Sequence, residues 1–221
     1  KQALPNIPKD NQVLILFGDV PLITEASLKK LLKAAIKGGI ALLTAKLSNP
    51  EGYGRVLRNS SNEVIEIVEE KDATSEQRLV KEINTGLMVV PGEAIHGWIK
   101  KLNANNQQGE FYLTEIISIA VAEGAPVFGE IVDNAEEIIG INDRVQLSQA
   151  ERTLQRRQAQ EMMVQGATLA DPERFDLRGS LTVGRDVFID VGAVFLGDVE
   201  LGDRVRIGPN TIISDSILGN D

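Results

Sequence analysis

The C-terminal part of the chain repeats every six residues. Read in sixes from Val183, it gives VGRDVF, IDVGAV, FLGDVE, LGDRVR, IGPNTI and ISDSIL, and each hexad opens on an aliphatic residue or Phe. The fifth place, from Val187 to Ile217, is also apolar or small. Glycines recur throughout the repeat, and each would destabilise a helix by about 1 kcal/mol relative to alanine. The pattern therefore predicts short strands stacked as the coils of a parallel β-helix, with an ordinary series of hairpins as the alternative.

The preceding 130 residues follow a different pattern, in which short apolar runs alternate with amphipathic segments. The run "VLILF" indicates a buried strand, and the helical segment after it has Thr24 as N-cap and stops at Gly38 and Gly39. The polar residues 59–62 separate two further strands and indicate a hairpin turn. This alternation predicts an α/β fold with a mostly parallel sheet and helices on its faces.

A long helix is predicted between these two regions, over residues 143–166, with Asn142 or Asp143 as its N-cap. It has no internal glycine or proline, and its apolar positions are sparse, so we expect an exposed connecting arm. We therefore divide the chain into an α/β domain (1–142), a connecting helical arm (143–168) and the first β-helix coils (169–221).

Composition excludes several kinds of protein. Of 221 residues, 32 are acidic and 23 basic, and the formal charge of −9 offers no surface for nucleic acid or an anionic membrane. The absence of cysteine excludes disulfides and thiolate catalysis. No apolar run approaches the roughly 18 residues of a membrane helix, and no signal peptide is present. We expect a cytoplasmic protein and, because the chain opens on Lys1 and ends within its repeat, a piece of a longer one.

The stretch "VLILFGDVPLI" places an acidic residue where a strand gives way to a loop. In open α/β sheets, ligands bind beyond the carboxyl ends of the strands, so the carboxylate of Asp19 is a candidate for function. Gly18 before it allows close approach of a ligand. A turn-forming or helix-capping role for Asp19 is the structural alternative.

Five motifs occur in an order that resembles a known enzyme family. "LFGDVPLI", "GYGRV" with "EIVEEKDAT", "EINTGLMV", "NNQQGEFYLTEII" and "IIGINDRVQLSQAE", followed by hexads, look like the bacterial bifunctional N-acetylglucosamine-1-phosphate uridyltransferase and glucosamine-1-phosphate acetyltransferase family. The resemblance covers essentially the whole chain. It implies a Rossmann-like nucleotidyltransferase sheet, a long connecting helix and the start of a left-handed parallel β-helix.

The resemblance also implies specific site residues. Asp19 matches the catalytic, Mg²⁺-binding aspartate, and Asn142 matches the second protein ligand of the metal. The residues that match substrate-binding positions are Phe17, Gly18, Asp19, Gly54, Glu69, Asn84 and Asn142. Taken alone, Gly54 could be a strand bend, Glu69 a solvated strand end, and the two asparagines local caps, but their joint order favours binding.

The reaction implied by the resemblance transfers a uridylyl group from UTP to N-acetylglucosamine 1-phosphate, forming UDP-N-acetylglucosamine and pyrophosphate. The sugar phosphate is the nucleophile, so catalysis needs alignment and charge neutralisation rather than an activated side chain. A second reaction of the family uses acetyl-CoA, and we expect it only in a full-length protein. The resemblance also implies a homotrimer.

Departures from the family pattern limit what this chain can do alone. The family's glycine-rich loop, with its Thr-Arg pair and lysine, holds the triphosphate, and other residues read the uracil; neither group precedes Gly18. We therefore expect the isolated chain to be inactive. Phe17 stands where tyrosine is common, and Leu196 where a small residue is usual. Two alternatives remain: a noncatalytic trimeric β-helix assembly module, and a different sugar-1-phosphate nucleotidyltransferase, such as an adenylyl- or thymidylyltransferase.

Overall fold

The computed structural model describes residues 2–221 and forms two compact units that divide between Gly140 and Ile141. Lys1, on which the expectation of a longer protein partly rests, lies outside the described residues. No helix in the described part of the chain is long and apolar enough to cross a membrane. The predicted three-part division of the chain remains a prediction.

The first unit is built on one six-stranded sheet with three α-helices. Its strands are β1 (Gln12–Ile15), β2 (Ile40–Lys46), β3 (Arg55–Arg58), β4 (Val64–Val68), β5 (Glu82–Pro91) and β6 (Val127–Ile131). Its helices are α1 (Glu25–Ala35), α2 (Gly92–Lys101) and α3 (Glu115–Ala122). The strand order is β4-β3-β5-β2-β6, and β1 is the sixth strand, which also pairs with β5.

The prediction of a mostly parallel sheet is wrong for the strand pairings. Among the described strands of the first unit, only β2 and β6 pair in parallel, whereas β5 is antiparallel to β1, β2 and β3. Two connections explain this difference. The hairpin at residues 59–62 reverses the chain, so β4 runs antiparallel to β3, and no α-helix lies between β4 and β5 to return the chain to the direction of β3. The strands β1, β2, β3 and β6 do share one direction, but β5 lies between them.

Strand β2 shows why the unit has helices on both faces. Ile40 and Leu42 pack with residues of α2 and α3, whereas Ala41 and Leu43 pack with α1. Side chains alternate between the faces of a strand, so a strand apolar at successive positions must be covered on both sides. The predicted α/β class is confirmed.

Strand β1 differs from its prediction. It ends at Ile15, and Leu14, Leu16 and Phe17 are 38%, 46% and 48% exposed rather than buried. The reason is that β1 pairs only with β5, so its other edge and its outer face are left uncovered by the described residues.

The second unit combines one long helix with stacked short strands. The helix is α4 (Arg144–Val164), and Asp143, not Asn142, is its N-cap. The strands are β7 (Thr168–Leu169), β8 (Asp176–Val183), β9 (Phe188–Ile189), β10 (Val194–Leu201), β11 (Arg206–Ile207) and β12 (Ile212–Leu218). They form two sheets of parallel strands, in the orders β12-β10-β8 and β11-β9-β7.

The six-residue repeat is confirmed by the register of these strands. Val194 pairs with Asp176 and with Ile212, a spacing of three hexads for each coil. Phe195 and Ile189, from first places, and Val187 and Ala193, from fifth places, are all buried in one core. Both apolar places of the hexad therefore point inward, as a β-helix requires.

The sixth hexad breaks this register. From Ser216 onward, β12 pairs one residue earlier against β10, so that Leu218 lies opposite Leu201. Asp215 adopts a positive φ of 44° at this point. Ile217, which the repeat places inside, is consequently 78% exposed, and its predicted inward position is wrong.

Helix α4 is not the exposed arm that we expected. Ala159 and Met162 are buried in the β-helix core, and the Gln155 side chain bonds to both backbone groups of Leu177. Its buried residues are Ala150, Gln155, Ala159 and Met162. Because Met162 is the one large apolar side chain among them, the hydrophobic pattern of the sequence did not indicate a buried face.

Candidate functional site

Three of the predicted sugar-binding residues meet at one edge of the first unit's sheet. The N–H of Asn84 donates to the carbonyl oxygen of Gly54 at 2.8 Å, which joins the start of β3 to β5. A methyl group at Gly54 would lie 3.2 Å from Oε2 of Glu69, just after β4. Gly54 therefore adjoins both the backbone of Asn84 and the carboxylate of Glu69.

A bulge in β5 fixes the orientation of the Asn84 amide. Gly86 has a φ of 79°, and its N–H donates to Oδ1 of Asn84 at 3.1 Å. The Thr85 hydroxyl donates to the carbonyl oxygen of Leu43 at 2.7 Å, where β2 shifts register. Because the backbone N–H of Gly86 requires an acceptor, the NH₂ of Asn84 is the part left to donate to a ligand.

Phe17 covers the same bulge. A side chain at Gly86 would overlap the Phe17 ring, which is why glycine is needed there for space as well as for its positive φ. Gly18 is different, because a side chain added there would meet nothing within 4 Å. The structure thus places Phe17 beside the Asn84 segment and leaves open space at Gly18.

Asp19 lies in the turn after β1, with an exposed side chain. Within residues 2–221 its carboxylate makes no hydrogen bond or ion pair. Oδ2 would lie 3.9 Å from a methyl group at Gly140, the last residue of the first unit. An unpaired carboxylate beside glycine backbone suits Mg²⁺, which binds one or two protein oxygens and keeps water or phosphate oxygens as its other ligands.

Asn142, the predicted partner of Asp19, belongs to the second unit. Its backbone N–H donates to Oε1 of Gln146, while Asp143 caps α4 by accepting from the N–H of Gln146 at 2.8 Å. The capping role is therefore taken by Asp143, and the Asn142 amide is not needed for it. Its pairing with Asp19 stays a prediction.

Two residues of the site were missed from the sequence. The Thr114 hydroxyl donates to Oε1 of Glu69 at 2.8 Å and holds that carboxylate in place. The hydroxyl of Tyr112 is buried and has no hydrogen-bond partner within residues 2–221. Both residues lie in the motif "NNQQGEFYLTEII", with one residue between them. This spacing of two hydroxyl side chains is the sequence feature that could have indicated them.

The surroundings of Tyr112 favour the protonated form of its hydroxyl by raising its pKa. Burial raises the pKa of the Tyr112 phenol, and the negative charges of Asp72 and Glu69 raise it further. A neutral phenol can donate a hydrogen bond to a ligand, which a phenolate cannot. Since these carboxylates repel anions, a sugar phosphate would have to present its hydroxyls here and its phosphate elsewhere.

A family model and several bacterial proteins are similar to this chain. The family model described as "Bacterial transferase hexapeptide (six repeats)" matches residues 180–215. Bifunctional protein GlmU of Nitrosospira multiformis is 50% identical over 221 residues, covering 100% of this chain and 48% of its own length. GlmU of Dechloromonas aromatica is 49% identical over 218 residues, covering 99% and 48%.

Another relative is similar over most of this chain, and a solved structure is similar over part of it. GlmU of Methylococcus capsulatus is 48% identical over 219 residues, or 99% of this chain and 48% of its own. A Bacillus anthracis structure, named as a glucose-1-phosphate thymidylyltransferase with sucrose, aligns at 18% identity and a TM-score of 0.49, over 67% of this chain and 56% of its own. That likeness is too low to carry an argument. The chain spans about half the length of the curated relatives, and over its whole length it is similar to bifunctional GlmU proteins, as the five motifs predicted.

Proposed function

We propose that this chain carries the sugar site and part of the metal site of a uridylyltransferase that makes UDP-N-acetylglucosamine. The substrates would be UTP and N-acetylglucosamine 1-phosphate, and pyrophosphate would be the second product. The observation that supports this most is that Gly54 adjoins both Glu69 and the backbone of Asn84, three residues that come from different segments of the chain.

The chemistry of these groups fits an N-acetylated sugar. The Glu69 carboxylate accepts hydrogen bonds from sugar hydroxyls, and its orientation is held by Thr114. The NH₂ of Asn84 can donate to the acetamido oxygen, and Gly54 lets the ring approach the backbone. These contacts would align the sugar phosphate for attack, which is the main work of such a reaction.

Asp19 and Asn142 would hold Mg²⁺, with phosphate oxygens and water as the remaining ligands. The ion would neutralise charge on the phosphates in this acidic chain. Asp19 would be the catalytic residue, since its carboxylate fixes the ion beside the reacting groups. Phe17 and Gly18 would border the same cleft.

The remaining properties are proposed by similarity to the bifunctional relatives. The protein would act in the cytoplasm as a homotrimer assembled through its left-handed β-helix. Acetyl transfer from acetyl-CoA to glucosamine 1-phosphate would belong to a longer chain. Because the predicted triphosphate loop is not in this sequence, we propose that this chain alone does not turn over.

A two-part experiment tests the proposal. Binding of UDP-N-acetylglucosamine to this chain should be seen by ligand-observed NMR with Mg²⁺ and should weaken in Glu69→Gln. A chimera in which the N-terminal segment of a GlmU relative precedes this chain should release pyrophosphate from UTP and N-acetylglucosamine 1-phosphate, and Asp19→Ala should abolish the release.

Each alternative has its own result in these assays. Preference of the chimera for ATP or dTTP would favour a different sugar-1-phosphate nucleotidyltransferase. No binding and no turnover, with a stable trimer, would favour the assembly module. Undiminished turnover by Asp19→Ala would remove the role given to that residue.

A further inference from the structure

A buried carboxylate links two segments of the first unit. Glu137 is 6% exposed, and its Oε2 accepts hydrogen bonds from the N–H of Thr24 at 3.2 Å, from the Thr24 hydroxyl at 2.8 Å and from the Ser27 hydroxyl at 2.6 Å. Thr24 is the N-cap of α1, so a carboxylate more than 100 residues away in sequence completes the cap of this helix. A negative charge at a helix N-terminus is electrostatically favourable.

The two linked segments meet a second time, next to Asp19. Asp19 lies five residues before Thr24, and Gly140 lies three residues after Glu137. The Asp19 carboxylate approaches Gly140, with 3.9 Å between Oδ2 and the position of a methyl group there. The segments 19–24 and 137–140 are therefore hydrogen-bonded at one end and close to each other at the other.

The connection between Asp19 and Thr24 is short and stiff. Val20 and Leu22 are each 6% exposed, and Pro21 between them has a fixed φ. A displacement of Thr24 would therefore be transmitted to Asp19. A second link, from Nζ of Lys30 to the carbonyl oxygen of Ile131 at 2.8 Å, joins α1 to the segment that leads to Glu137.

We propose that Glu137 is a positioning residue for Asp19, which sets the place of the metal-binding carboxylate by holding the start of α1. The inference rests on the proposed role of Asp19. Glu137 would contact neither metal nor substrate, and would act through Thr24 and Ser27. Outer partners that orient a metal ligand commonly change metal affinity about 10- to 100-fold when removed. Because Glu137 would act on Asp19 through the backbone, its replacement should change metal affinity by a factor at or below the low end of that range.

The test is Mn²⁺ binding to this chain in the presence of UDP-N-acetylglucosamine, followed by the electron paramagnetic resonance signal of free Mn²⁺. Glu137→Gln keeps the shape of the side chain and removes its charge. Its Mn²⁺ dissociation constant should rise about 5- to 10-fold. The matched control is Glu136→Gln in the same short 3-10 helix, Ala135–Ile138. Glu136 is exposed and its carboxylate accepts a hydrogen bond from the Asn134 side chain, so its constant should not change.

A second variant distinguishes a loss of metal binding from a loss of stability. Ser27→Ala removes the shortest of the three hydrogen bonds to Glu137. Because alanine has a higher helix propensity than serine, the substitution itself should not destabilise α1. It should also weaken Mn²⁺ binding. Lower melting temperatures in Glu137→Gln and Ser27→Ala with unchanged Mn²⁺ dissociation constants would overturn the inference, because that is the result of a purely structural role.

The variant Asp19→Asn separates this inference from the proposed function. If Asp19→Asn binds Mn²⁺ as tightly as the wild type, the metal site is elsewhere and both proposals fail. If Asp19→Asn loses binding while Glu137→Gln and Ser27→Ala retain it, only the role of Glu137 fails. Loss in all three, with Glu136→Gln unchanged, supports the inference.

Discussion

The backbone N–H of Asn84 donates to the carbonyl oxygen of Gly54 at 2.8 Å, so the two residues are held on paired chain segments. Glu69 adjoins Gly54 from the next segment of chain. A site made of three strands that pair in one sheet is preorganised, because binding a ligand does not require the strands to be assembled first.

Replacing the carboxylate of Glu69 should weaken binding of the sugar. Glu69→Gln removes the charge that strengthens hydrogen bonds from sugar hydroxyls, which are worth about 1.5–3 kcal/mol each when one partner is ionised. We expect the dissociation constant for UDP-N-acetylglucosamine, measured by calorimetry, to rise at least about 10-fold. Glu66→Gln on β4 is the control, because Glu66 is exposed and away from this contact. Equal effects of the two changes would contradict the site.

A side chain at Gly86 should displace Phe17. In Gly86→Ala the new methyl group overlaps the Phe17 ring and meets an unfavourable positive φ. We expect a loss of about 1–3 kcal/mol in the free energy of unfolding, measured in urea. The loss caused by Gly86→Ala should be smaller when Phe17 has already been replaced by alanine, because the ring that the methyl group overlaps is then absent. Strictly additive effects would show that the ring does not lie against Gly86.

The ion pair of Arg58 and Glu82 should make stability depend on acid pH. Nε and Nη2 of Arg58 donate to the two carboxylate oxygens at 2.8 and 2.6 Å, and the Thr44 hydroxyl adds a third bond at 2.8 Å. Burial alone would raise the pKa of Glu82, but the bonds from Arg58 and Thr44 outweigh it, so the pKa lies below its ordinary value.

The sign of the pH effect follows from this lowered pKa. A carboxyl with a lower pKa in the folded state stabilises the fold above its unfolded pKa, about 4.3, and loses that contribution as the pH falls through the folded pKa. Between pH 7 and pH 3, the wild type should lose more unfolding free energy than Glu82→Gln does. The exposed Glu76→Gln should keep the wild-type pH dependence. A pH profile unchanged by Glu82→Gln would contradict this explanation.

The shift of register in the last coil predicts a contrast between two isoleucines. Ile207 is 4% exposed and Ile217 is 78% exposed, although the repeat places both inside. Ile207→Ala should lower the free energy of unfolding by about 2–5 kcal/mol, whereas Ile217→Ala should change it by less than about 0.5 kcal/mol. Similar losses at the two positions, measured by chemical denaturation, would show that the sixth hexad keeps the regular register.

The sequence predicted the burial pattern of the second unit better than the strand directions of the first, and the difference has a physical reason. In the β-helix, the burial of Phe195 and Val199 follows from a short period, because each coil repeats the environment of the previous one. The same rule failed at Ile217, where one residue is lost from the coil. In the first unit, the direction of β5 depends on the connection from β4, and no local pattern encodes it.

The residues of the candidate site differ in how far the sequence could indicate them. Gly54, Glu69 and Asn84 could be named because motif order marks them, and the structure brings them together. Thr114 and Glu137 could not be named, since their roles arise from contacts with residues 45 and 113 positions away in sequence. Such partners become visible only once the chain is folded.

The most direct measurement is a crystal structure of this chain with UDP-N-acetylglucosamine and Mn²⁺, in which anomalous scattering locates the ion. We predict one Mn²⁺ peak bound by oxygens of Asp19 and Asn142, at distances close to the ~2.0–2.1 Å typical of Mg²⁺. We also expect the sugar ring to lie against Gly54, Glu69 and Asn84. An ion bound by neither Asp19 nor Asn142, or a sugar seated away from those three residues, would contradict the proposed site.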